Sequence, residues 1–151
     1  MARFRLAFRP PCPTPSSPCA VGDRDGWVRL HRVTGPNTGG HAVSAPVTPE
    51  SDLAGCDVVR CVGIETIFAD LPPGDVDLMK LDCEGAEWPI LETLAASGSI
   101  RRVRHLVMEL HLDPPAGRTW PPMAALLTQA FGRVRLYETD DPQLLRVMAS
   151  H

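Results

Sequence analysis

No apolar run in this chain of 151 residues approaches the roughly 20 residues that a bilayer-spanning helix needs. A membrane-embedded protein is not expected. An excess of one sign of charge is lacking too, since 15 Lys and Arg stand against 18 Asp and Glu, for a net charge of -3. Nothing therefore points to nucleic acid or another polyanion as partner. The five cysteines, Cys12, Cys19, Cys56, Cys61 and Cys83, match neither the spacing of a zinc ribbon nor that of a small disulfide scaffold. Reduced thiols in a soluble, cytoplasmic protein are the expectation. Residues Met1 to Leu53 also lack a glycine-rich turn after a first strand and an acid at the end of a second, the arrangement that cradles a nucleotide-like cofactor.

The length suits one domain with a real core and is too short for two. Residues 1–19 carry three arginines and no acid, then five prolines within nine positions, so a tail of little order is expected there. From Ala20 the composition changes. Asp25-Gly26 reads as a turn and Trp27 to Val33 as a strand. The glycines of Gly35 to Gly40 follow no apolar strand in the required position, and they are read as loop rather than as a phosphate cradle. Val58 to Ile64 is β-branched enough for a strand, and Glu65 to Leu71 reads as a short helical turn closed by Pro72-Pro73-Gly74.

The densest information lies in Val76 to Glu87, VDLMKLDCEGAE. An apolar strand there ends in Asp82, Glu84 and Gly85, and a helix from Ala86 to Ser97 follows at once, with Ile90, Leu91 and Leu94 at helical spacing. Open α/β sheets place their chemistry at such strand-to-helix turns. Val103 to His111 is a second apolar run ending in Glu109 and His111; Pro121 to Phe131 reads as a helix and Arg133 to Glu138 as a strand. Gln143 to Ala149 fits either strand or helix. The alternation implies half of a doubly wound sheet with flanking helices, whose right-handed crossovers bring Asp82, Glu84, Glu109 and His111 to one rim. Lys80, inside a strand that reads as sheet interior, needs a partner, and Glu109 on the neighbouring strand is the natural choice.

VDLMKLDCEGAE resembles the signature of the FkbM family of S-adenosylmethionine-dependent methyltransferases, through Val76, Asp77, Leu78, Lys80, Leu81, Asp82, Glu84, Gly85, Ala86 and Glu87. Cys83 stands where the family usually has an aliphatic residue. The resemblance runs from about Ala20 to about Glu138. It implies a partial Rossmann-like fold spanning 20–151, S-adenosylmethionine as cofactor, and methylation of a hydroxyl on a small-molecule acceptor, often a sugar or secondary metabolite. It also implies that Asp82 and Glu84 belong to the cofactor and substrate side of the site. With the glycine-rich turn missing, the chain resembles the distal half of the enzyme. The signature strand is then expected at a sheet edge, open to self-association.

Methyl transfer to oxygen needs the acceptor held in line and a base for its proton. His111 is the candidate base, with Asp82, Glu84 and Glu109 beside it. Plainer readings stand beside these. Glu84 and Glu87 favour the positive end of the following helix in any case, and His111 can simply close a strand. Two carboxylates, a third and a histidine also make an oxygen-rich divalent site, but no fixed ligand spacing assigns a metal here. His31, His41 and His105 show no partner pattern, and the cysteines read as inert thiols. Two further readings follow: a non-catalytic remnant that pairs with another chain through its open edge, and a small metal-dependent enzyme.

Overall fold

The computed structural model describes residues 19–31, 43–46 and 56–151. The stretch 1–18 and the glycine cluster at 35–40 lie outside the described residues. Strands β1 (Cys19–Gly22), β2 (Gly26–His31), β3 (Val43–Pro46) and β4 (Cys56–Gly63) come first, followed by helix α1 (Ile64–Asp70). Then come β5 (Val76–Leu81), α2 (Glu87–Ser97), β6 (Val103–His111), α3 (Trp120–Ala130), β7 (Arg133–Glu138) and β8 (Leu144–Ser150). Strands at Val58 and Val76, helices at Ala86 and Pro121 and the strand at Arg133 all form within two residues of expectation. The undecided C-terminal segment is a strand.

The strands make two sheets, ordered β1-β4-β2-β3 and β5-β6-β8-β7. In the second, β5 and β6 lie side by side and parallel, as a helical crossover through α2 requires. β8 runs antiparallel between β6 and β7. Among the described residues β5 is an edge strand.

Alternation along β6 sets the two faces of this sheet. Leu106, Met108 and Leu110 are buried, and they pack with Leu81, Val147 and the apolar sides of α1, α2 and α3 in one continuous core. The opposite face carries Leu78, Lys80, Glu109, Arg146 and Met148, and it is largely open. A segment that reads as sheet interior is thus covered on one face among the described residues. Lys80 is an exposed residue and not a buried charge.

Register also decides Lys80's partner. Lys80 lies beside Val107, whereas Glu109 lies beside Arg146. Glu109 accordingly accepts from Arg146 Nε at 3.1 Å, and Lys80 turns along its own strand to Asp82, 3.1 Å away. The expected Lys80 to Glu109 pair does not form.

Gly98 ends α2 with φ of 82°, a left-handed cap that a side chain would strain. In the first sheet, Asp25 in the turn accepts from the Gly63 backbone N–H at 2.9 Å and the Thr66 hydroxyl at 2.7 Å. These bonds hold its carboxyl below the usual range and fasten the β1–β2 turn to the junction of β4 and α1. Gly63 has to be small there, because a Cβ would come within 2.9 Å of the Arg24 backbone.

Candidate active site at the end of the signature strand

β5 ends at Leu81, and the next five residues turn the chain from strand into α2. This turn holds the single non-glycine residue with positive φ among those described, Glu84 at 51°, followed by Gly85 at 101°. Left-handed backbone costs a residue with a side chain about 1 to 2 kcal/mol. Here it aims the Glu84 carboxylate at the end of β6, where Oε2 lies 3.2 Å from His111 Nε2.

What holds this turn is Glu87, the first residue of α2, whose side chain is 0% exposed. Its carboxylate accepts from the backbone N–H of Cys83 at 2.6 Å and of Gly85 at 2.9 Å, the two residues that bracket Glu84. It also lies 3.2 Å from His111 Nδ1. A buried carboxylate is tolerable only when hydrogen-bonded in this way. From the other side, Trp88 Nε1 donates to the His111 carbonyl at 2.8 Å and fixes the strand end.

His111 therefore sits between two carboxylates. The hydrogen bond to Glu87, against the opposing effect of burial, and the negative charge of Glu87, Glu84 and Asp82 together raise its pKa above the ordinary 6.5. Cys83, in the same turn, is pushed up by burial and by the neighbouring carboxylates, so its thiol stays protonated and is no nucleophile. No disulfide links Cys61 or Cys83.

Three of the four residues expected at the rim come together. Ligand-type atoms of Asp82, Glu84 and His111 all lie within 4.8 Å of one another. Glu109 stands outside that group, drawn to Arg146 by strand register. Glu87 is the residue whose part in the site sequence reasoning missed, because an acid in the first turn of a helix has a sufficient reason to be there. The signal was its spacing: a carboxylate one turn after Cys83 can reach back to the amides before the helix.

Glu84, Gly85 and Ala86 also line a cleft of about 290 Å³, with Pro89 and Arg118 on the same side and Asp23, Arg24, Trp27 and Cys61 of the first-sheet region opposite. Arg118 Nη1 donates to the Gly85 carbonyl at 3.2 Å, which fixes one wall.

Carboxylates and an imidazole thus gather at a strand-to-helix turn, where open α/β folds commonly place their sites, and Glu84 among them also lines a cleft. The chain belongs to the family described as the methyltransferase FkbM domain, whose model matches residues 2–142. It is thus a methyltransferase, and membership implies a methyl-donor cofactor. No curated protein and no solved structure matches the chain. No described helix is long and apolar enough to cross a membrane.

Proposed function

We propose that the chain transfers a methyl group from S-adenosylmethionine to a hydroxyl oxygen of a small-molecule acceptor, a sugar or a secondary metabolite. The observation that carries this reading is the imidazole of His111, held at 3.2 Å from Glu84 on one nitrogen and from Glu87 on the other, with Glu84 in turn lining the cleft. When bound, S-adenosylmethionine would supply an electrophilic methyl group, whose bond to sulfur breaks as the acceptor oxygen bonds to its carbon and the neutral thioether leaves. The cleft lining fits a nucleoside in kind: the carboxylate of Asp23, which also holds Arg24 at 2.8 Å, suits ribose hydroxyls, and Trp27, 39% exposed, offers a ring face.

The work of this chain's own residues is to orient the acceptor and to move one proton. Neutral His111 takes the hydroxyl proton at Nε2. Glu87 at Nδ1 then holds the imidazolium, and Glu84 supplies further negative charge. Asp82 sits on the cofactor and substrate side of the same rim. The free thiols of Cys61 and Cys83 support a cytoplasmic location.

Titration calorimetry with S-adenosylmethionine, run beside a methyl-transfer assay, tests the reading. Donor binding is expected to survive His111→Gln, while methyl transfer falls about 10²- to 10⁴-fold. A chain that gives no heat at millimolar donor sinks it.

A second reading has an observation of its own. β5 is an edge among the described strands, and Leu78 on it is 60% exposed. These features support an interaction module, the distal part of a methyltransferase domain, that pairs with another copy through that edge and binds no cofactor. Concentration-dependent mass by sedimentation, abolished by Leu78→Lys, together with silence toward the donor, is its expected signature.

A further inference from the structure

We propose that Asp82, Glu84 and His111 form a binding site for one divalent cation of the manganese type. Donor atoms about 2.1 Å from a common ion stand roughly 3 to 4.2 Å apart. The three ligand atoms here lie within 4.8 Å of one another, so rotamer-scale adjustment closes the set. Two carboxylates make the site hard, and an imidazole moves its preference from Ca²⁺ and Mg²⁺ toward Mn²⁺, Fe²⁺ or Zn²⁺.

A separate observation comes from behind the ring. Metal-binding histidines ordinarily donate their other N–H to a carboxylate, which fixes the tautomer and aims the free nitrogen. Glu87 is that carboxylate. It is fully buried, 3.2 Å from Nδ1, which leaves Nε2 on the side of Glu84 and Asp82. The same side chain clamps the amides of Cys83 and Gly85, so one buried group positions both the ring and the turn that carries the carboxylate ligands. The ligand side chains stay partly open, at 36% for Asp82, 33% for Glu84 and 26% for His111, so the remaining coordination positions face solvent. Lys80 at 3.1 Å from Asp82 is the one cation that competes for these oxygens among the described side chains. With the ion on Nε2 the ring cannot also take a proton there, so in the metal-bound form the ion, by acidifying an acceptor hydroxyl that it holds, replaces His111 as the means of deprotonation. That step rests on the methyltransferase reading; the site itself does not.

The test uses the full chain, stripped with a chelator, dialysed, and titrated with MnCl₂ while free Mn²⁺ is followed by electron paramagnetic resonance. One equivalent is expected to bind and to broaden the ring resonances of His111 selectively. Asp82→Asn and Glu84→Gln, both at partly open positions that the core does not need, should each weaken binding by at least about tenfold. Glu87→Gln should weaken it by about 10- to 100-fold without touching a ligand, and Glu92→Gln, an exposed acid elsewhere on α2, should leave it unchanged. Absence of binding at millimolar Mn²⁺ overturns the proposal, as does binding that Asp82→Asn and Glu84→Gln leave intact. Neither outcome depends on whether the chain binds a methyl donor.

Discussion

Each sheet has four strands, yet among the described residues they rest on cores of unequal depth. In the second, Leu110 and Val147 are 0% exposed, and α1, α2 and α3 all close over the same face. In the first, the buried cluster is Val28, Val59 and Cys61, backed by Ala20 and Leu30. The difference teaches that a helix need not cover the sheet its preceding strand belongs to: α1 follows β4 of the first sheet, yet its Ile64 and Phe68 pack into the core of the second. The candidate site lies where the deep core ends, and its most buried group, Glu87, opens the helix that covers that core.

The sharpest way to break this comparison is a pair of truncations. Leu110→Ala, in the deep core, is expected to cost about 2 to 5 kcal/mol in denaturant unfolding, and Val59→Ala about 1 to 2 kcal/mol. Equal losses would mean that the sheets share one core. Next in size is Glu87→Gln, which weakens a buried acceptor of two backbone amides and leaves the His111 ring with a poorer partner. A loss of about 1.5 to 3 kcal/mol is expected, measured the same way.

His111 sharpens the contrast through pH. Its folded pKa lies above the ordinary 6.5. The stability it contributes is therefore fully present below about pH 6.5 and is lost as the pH rises through the folded value. In metal-free protein, His111→Gln should flatten the pH dependence of unfolding above pH 6.5; an unchanged slope contradicts the two-carboxylate clamp. If the neutral ring is the base, methyl transfer should rise over the same range. The smallest effect belongs to the open face. Lys80→Ala should change stability by no more than about 1 kcal/mol, because its pair with Asp82 is solvent-screened.

The periodicities from Val76 onward carried most of the second sheet: the strand ending at Asp82, the helix with Pro89 in its first turn and Gly98 past its end, and the parallel return to His111. The C-terminal strand was ambiguous because Leu144 to Ser150 is short and mixed, and only its place between β6 and β7 selects the extended form. The expected pairing of Lys80 with Glu109 failed for want of register, which two isolated strands do not specify.

The residues themselves determined the family, the strand-to-helix turn and the gathering of Asp82, Glu84 and His111 at one rim, since these follow from local pattern and from the handedness of a crossover. Tertiary structure alone decided that Arg146 takes Glu109, that Lys80 lies in solvent, and that Glu87 is the buried clamp behind His111. Those outcomes turn on which side chains lie opposite one another across 24 to 37 positions of chain, and proximity of that kind is a property of packing rather than of sequence neighbours.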